Sequence, residues 1–182
     1  MNVIQCYAPT NDSNDDIKDH FYERLQSIIE KFPRKDLTIL IDLNAKIGID
    51  NTGNEDIMER HGLGERNENG ERFADLCAFN KLVIGGTIFQ HKRIHKATWI
   101  SPDHTIANQI DHICINKTFR RTMENLRTRR DDDIASDHHA LRTGRNFQAE
   151  VFSFIFLGFS QSWMNYFFLD LWKITQFLTI NI

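Results

Sequence analysis

At 182 residues, 41% of them hydrophobic and 26% charged, the chain suits one soluble globular domain and excludes a disordered or collagen-like polymer. A formal net charge of -3 excludes a general electrostatic pull toward nucleic acid, so any such binding has to come from a local basic surface. Cys6, Cys77 and Cys114 are odd in number, far apart and without a CxxC pair. This argues against a disulfide framework or a zinc knuckle and suits a reducing intracellular compartment, nuclear or cytoplasmic.

Residues 1–7 lack a basic leader region, and polar residues 11–16 arrive before an apolar stretch can form, so no signal peptide is expected. Residues 3–7 read as a strand, followed by a polar break at 9–16 that supplies turn residues and helix caps. Residues 16–32 carry Ile17, Phe21, Leu25, Ile28, Ile29 and Phe32 at helical spacing, ended by Pro33. The apolar run 37–41 has strand length and suits burial on both faces. Residues 47–69, rich in Gly, Asn and charge, read as a long surface loop. Helical spacing returns at 71–80 (Phe73, Leu76, Cys77), with Asn80 placed to cap the C-terminus. Short strands are expected at 82–84, stopped by Gly85 and Gly86, and at 98–100, with a longer one at 109–115. Residues 117–124 suit a helical turn or two and 125–130 a basic edge strand. Irregular alternation of strands and helices, with no repeat, makes an α/β (α+β) layered sandwich.

Residues 147–182 hold most of the phenylalanines and two of the three tryptophans, with Glu150, Asp170 and Lys173 as the only charges. Neither strand nor helix periodicity runs through them. Residues 151–169 are uncharged and nearly long enough to span a bilayer, but Ser, Gln and Asn interrupt them. The tail is a poor membrane helix, an aromatic cap, or sequence not shaped for folding, the last being preferred.

Several polar residues stand where a core would not choose them. Asp42 and Asn44 follow the apolar run, and residues two apart on a strand project to the same side, so the pair is either a convergent site beyond the strand end or a turn. Asp111 lies in the apolar stretch 109–115 and is expensive to bury alone. It belongs to an edge strand or has a hydrogen-bonded partner such as a histidine, for which SDHH (136–139) is the obvious source. Lys117, Arg120, Arg121, Arg127, Arg129 and Arg130 form a concentrated basic stretch that suits phosphate, although Asp131–Asp133 follow at once and suit a self-neutralising face. His91 and His95 have helical metal-ligand spacing, but the segment does not read as a helix and lacks a third ligand.

In combination these residues resemble the endonuclease/exonuclease/phosphatase superfamily: Tyr7-Ala8-Pro9, Asp42-Leu43-Asn44-Ala45, Asp111 within Gln109–Ile113, and Ser136-Asp137-His138 follow in the family's order. HGLGERNENGERF (61–73) and IGGTIFQHKRIHKATWISPD (84–103) resemble the endonuclease domains of RTE-type non-LTR retrotransposons, and the similarity runs from about residue 2 to 141. The resemblance implies a four-layer α/β/β/α sandwich of the deoxyribonuclease I type, and Mg²⁺- or Mn²⁺-dependent hydrolysis of phosphodiesters in DNA, with no small-molecule cofactor. It implies that Tyr7 contacts the scissile phosphate or orients its neighbours, and that Asp42 positions or deprotonates the attacking water. Asn44 would hold the phosphate or the aspartate, and Asp111 would orient His138, the general base or charge-assisted donor. Asp137 would lie close to the metal. Trp99 is a candidate for stacking on bases or for the core, and Arg120 and Arg121 for contacting backbone.

Three departures temper this. The family's N-terminal segment, with its Asn near the phosphate and its principal Glu metal ligand, has no counterpart, so the domain (residues 1–146) is expected to be incomplete and to bind its metal weakly. Ile41 stands where the family usually has Gly, a strained choice if positive φ is needed there. After Leu141 the expected apolar strand gives way to Arg142-Thr143-Gly144-Arg145. The alternative to an active endonuclease is therefore a catalytically inactive retrotransposon-derived fragment or binding module, whose exposed sheet edges would favour self-association.

Overall fold

In the computed structural model, which describes residues 2–31, 37–129, 140–142 and 176–180, strand β1 (Asn2–Tyr7) leads through helix α1 (Asp15–Ile29) to strand β2 (Leu37–Asp42), parallel to β1. Asn14 starts α1: its side chain accepts the Asp16 N–H at 2.8 Å, and Asp15 and Asp16 place negative charge at the helix's positive end. Phe21, Leu25, Ile28 and Ile29 are buried as their spacing requires, whereas Ile17 is 54% exposed. Helix α2 (Glu68–Asn80) begins earlier than the apolar spacing alone indicates, because Asn67 caps it through Gly70 N–H at 2.8 Å. At its other end Lys81, with φ of 56°, takes the left-handed cap position, while Asn80 stays helical and donates to Leu76 O.

After α2 come β3 (Leu82–Ile84), β4 (Trp99–Ile100), β5 (Ala107–Asn108), β6 (Asp111–Asn116), β7 (Arg127–Arg129), β8 (Ala140–Arg142) and β9 (Gln176–Ile180). The main sheet has the order β3-β6-β2-β1-β9, and β4 with β5 and β7 with β8 form two small antiparallel ladders. Strand β6 runs antiparallel to both β2 and β3, so its first residue, Asp111, meets the last residue of β2. Every residue of β6 is buried, the mark of a strand covered on both faces. His112 and Cys114 face α2: the His112 ring lies 5.6 Å from Phe73 and the Cys114 Sγ 3.8 Å from Cys77 Sγ. By alternation Asp111, Ile113 and Ile115 face the other way. The helix-side core gathers Ile4, Cys6, Phe21, Leu25, Phe73, Cys77, Leu82, Ile84 and Cys114. Truncating a buried aromatic such as Phe21 or Phe73 to Ala would cost about 3–5 kcal/mol.

Residues 47–69 differ from the surface loop expected. Ile47, Ile57 and Met58 are buried, and Arg66 donates to Ile47 O at 3.0 Å. Gly48 and Gly62 permit close backbone approach rather than looseness: a Cβ at Gly62 would run into the Gly48 carbonyl, and just past the segment one at Gly70 would run into the Lys46 carbonyl. Ile41 also differs from expectation, since it continues a regular strand and the positive φ falls instead on Asn44, at 47°. The expected open edge of β1 is paired in parallel with β9, from Asn2↔Gln176 to Cys6↔Ile180. A stretch of the aromatic tail therefore joins the main sheet. Residues 151–169, weighed as a membrane segment, lie outside the described residues, among which no helix is long and apolar enough to cross a membrane.

Candidate active site

Pairing register assembles the site. Tyr7 is in register with Asp42 across the parallel pair, and Asp42 with Asp111 across the antiparallel pair. Positions 7, 42 and 111, far apart in sequence, thus form one row at a single end of three adjacent strands. Ile4 and Cys6 belong to the helix-side core, so alternation places Tyr7 on the opposite face, the one that Asp111 also occupies. Tyr7 is 49% exposed and Asp111 only 6%. The row therefore has an accessible phenol at one side and a sheltered carboxylate at the other.

Around this row the backbone is held by neutral amide and hydroxyl groups. Asn44, in the left-handed conformation that Asn tolerates, donates from Nδ2 to Ala8 O at 2.9 Å. It thereby ties the exit of β2 to the exit of β1, beside Tyr7. Asn67 accepts the Lys46 N–H at 2.9 Å and reaches Asn44 O at 3.3 Å. Asn69, fully buried, donates to Pro9 O at 2.9 Å and to Leu43 O at 3.5 Å, so one side chain spans both strand exits. Thr98 Oγ1 accepts the N–H groups of Ile110 and Asp111, each at 3.0 Å, and fixes where β6 begins. His112 Nε2 bonds Ala45 O at 2.7 Å. Because a carbonyl only accepts, that nitrogen carries the proton and Nδ1 is bare. Burial pushes the His112 pKa down, against smaller upward effects of the Ala45 bond and the Asp111 charge, so this imidazole is neutral and structural.

Asn67, Asn69, Thr98 and His112 are not singled out by sequence reasoning. The signal available for Asn67 is its place in HGLGERNENGERF, immediately before a helix, where a cap is expected. Trp99 follows Thr98 and is half-buried, in register with Asn108, which sets it close to the Asp111 end. Arg120 and Arg121 are not brought there. They lie in the 3-10 turn Lys117–Thr122 beyond the far end of β6, a strand whose length separates them from the row by roughly 17–20 Å. Arg120 is also ion-paired with Glu59. Asp137 and His138 lie outside the described residues. Among the described residues no three His, Cys, Asp or Glu side chains gather to hold a metal ion, so those residues alone do not fit the divalent cation that the resemblance implies. His95 ends the 3-10 turn Arg93–His95 and His91 precedes it, so the two do not lie on an α-helix.

No protein-family model matches the sequence. Over 142 residues, 78% of this chain, the sequence is 39% identical to craniofacial development protein 2 of Tragulus javanicus, and equally so to that of Bos taurus. This chain spans only 24% of the length of those relatives. Among solved structures it is similar to a 3'-5' exonuclease, NExo, from Neisseria meningitidis, with a TM-score of 0.58, 16% identity, and 78% of this chain and 60% of that one covered. The 3' phosphatase NExo from Neisseria bound to a product DNA hairpin gives a TM-score of 0.53 at 14% identity, covering 73% of this chain and 55% of that one. The chain is a relative of craniofacial development protein 2 with the fold of endonuclease/exonuclease/phosphatase nucleases. In that fold the row at positions 7, 42 and 111 lies where the C-terminal ends of two parallel strands meet the start of an antiparallel one. Open α/β sheets bind ligands beyond strand C-terminal ends.

Proposed function

We propose that the chain hydrolyses phosphodiester bonds in DNA at the row formed by positions 7, 42 and 111. The observation that carries the reading is the register itself, which brings three residues chosen from sequence to one level on adjacent strands. A phosphodiester is already anionic, so its hydrolysis needs hydrogen-bond donors on the phosphoryl oxygens and a base or positioned carboxylate for the attacking water. In this reading the exposed Tyr7 hydroxyl donates to a phosphoryl oxygen. Asp42 orients or deprotonates the water, and Asn44 keeps the two strand exits at fixed spacing. Asp111 orients His138, which takes or holds the proton. Trp99 supplies an aromatic surface for an unstacked base. Mg²⁺ dependence belongs to the same reading and requires donors beyond the described residues, Asp137 first.

The test is nicking of supercoiled plasmid by the full chain in Mg²⁺, beside an EDTA control and the variants Asp111→Asn, Tyr7→Phe and His138→Ala. The expected result is EDTA-sensitive nicking, reduced at least a hundredfold in Asp111→Asn and His138→Ala, a loss of the size seen for general acid–base groups of about 10²–10⁴. Unchanged nicking in all three variants would overturn the site assignment. A folded chain that binds DNA without nicking it would instead support the alternative, a catalytically inactive binding module.

A further inference from the structure

We propose that the 3-10 turn Arg93–His95, together with Lys92 and Arg127, forms a patch that grips the phosphate backbone of duplex DNA beside the row at positions 7, 42 and 111. The patch is a product of the fold, since Arg127 lies far along the chain from the turn. Strand β7 packs against the turn, and Thr128 Oγ1 donates to Ile94 O at 3.3 Å, which sets Arg127 alongside it. Arg93 Nη2 donates to Ala107 O at 3.3 Å, and Lys96 Nζ donates to His61 O. These bonds pin the turn between β7 and β5 and leave Lys92, Arg93 and Arg127 exposed.

Several of the other basic residues of the fold are neutralised locally. Lys18, Arg66, Arg72, Lys117 and Arg120 each have a carboxylate partner. Among the described residues, none of Lys92, Arg93, Lys96 and Arg127 is in an ion pair. Next to them His91 has its Nε2 buried without a hydrogen-bond partner in the described structure. Burial pushes the His91 pKa down, and the charges acting on it, those of Lys96, Arg127 and His95, push it in the same direction. Like charges gathered at one place repel each other and attract an anion.

Position selects the anion. Two residues after Lys96, Thr98 holds the N–H groups of Ile110 and Asp111, so the patch approaches the Asp111 end of the row. Arg120 and Arg121 do not. A polyanion laid across Tyr7 and Asp111 would continue over Lys92, Arg93 and Arg127. Contacts of this kind fix register on the backbone and carry no base specificity. The proposal rests on the hydrolase reading only for the identity of the substrate, because binding needs no catalysis.

The test is fluorescence anisotropy of a fluorescein-labelled DNA duplex with the full chain in EDTA, across a salt titration. Compared with it are the triple variant Lys92→Ala, Arg93→Ala, Arg127→Ala and a control triple, Arg24→Ala, Lys31→Ala, Lys81→Ala, that removes equal charge elsewhere. The first triple should bind at least tenfold more weakly at about 0.1 M salt. The slope of log affinity against log salt should shrink by about 2–3, near 0.9 for each phosphate that the variant no longer neutralises. The control triple should match the parent, and a Lys92→Arg, Arg93→Lys, Arg127→Lys variant should keep most of the affinity. No duplex binding by the folded parent chain, or equal losses in the two alanine triples, would overturn the proposal. Nicking lost while patch-dependent binding persists would refute the hydrolase reading and leave the patch standing.

Discussion

Replacing Asn69 by Ala would expose how far this fold depends on a single buried amide. Asn69 is fully buried, its Nδ2 serves Pro9 O at 2.9 Å and Leu43 O at 3.5 Å, and its Oδ1 has no hydrogen-bond partner in the described structure. Truncation removes one well-formed bond, worth about 0.5–1.5 kcal/mol net, and leaves the part-buried Pro9 carbonyl without its donor, a penalty of at most about 1–3 kcal/mol. The contact at 3.5 Å adds little, and loss of the lone Oδ1 offsets part of the cost. A net destabilisation of about 1.5–3 kcal/mol follows. With a urea slope of about 2 kcal/mol/M, the unfolding midpoint should fall by about 0.8–1.5 M. Asn69→Asp should be worse, since it also loses the donor and sets a carboxylate facing two carbonyl oxygens. Urea unfolding followed by circular dichroism reads both variants. A midpoint for Asn69→Ala within about 0.3 M of the parent, below about 0.6 kcal/mol at that slope, would refute the claim that this side chain fastens the two strand exits.

Three further outcomes are expected. His112 is kept neutral by burial, so its folded pKa lies below the ordinary value of 6.5. As pH falls below about 6.5 the unfolded chain takes up a proton that the folded chain refuses, and stability should drop by up to about 1.4 kcal/mol per pH unit. Above that pH the contribution is constant, and His112→Gln should flatten the acid limb of a melting-temperature profile. Cys77 and Cys114 are buried side by side, and burial raises the Cys114 thiol well above its usual range, the neighbouring Cys77 adding to it. Ellman's reagent should therefore leave both thiols unmodified in native buffer and react with them in denaturant. Finally, deleting residues 176–182 strips β9 from β1 and leaves a row of unpaired backbone groups. Light scattering should show association that the full chain lacks, and a monodisperse monomer would mean that β9 is dispensable.

Much of the architecture is legible in the sequence because it rests on local patterns. The apolar spacing of Phe21, Leu25, Ile28 and Ile29 marks α1, and the continuous run before Asp42 marks β2. Leu82–Ile84 ends at two glycines, as expected, where a side chain would meet Met123 and Leu126 at Gly85 and Gln109 at Gly86. The start and end of α2 are less legible, since caps depend on which neighbour offers a partner, as Asn67 does. Residues 47–69 depart from expectation because a polar composition does not guarantee exposure. Their asparagines and glycines permit close packing of backbone on backbone, which composition does not distinguish from a flexible loop.

Sequence by itself determined which residue types were out of place in a core, Asp42, Asn44 and Asp111 among them, and in what order they and Tyr7 follow. That information is local, because an Asp inside an apolar run conflicts with its immediate neighbours. Only tertiary structure decided that positions 7, 42 and 111 share one row, because register is set by pairing between strands and a one-residue slip would turn the row over. Tertiary structure also decided that Arg120 and Arg121 lie beyond the far end of β6 from the row, and that Arg127 joins Lys92 and Arg93. It brought Gln176–Ile180 onto the edge of β1 as well. Each of these depends on contacts between residues far apart in the chain, for which a single sequence carries no local signal.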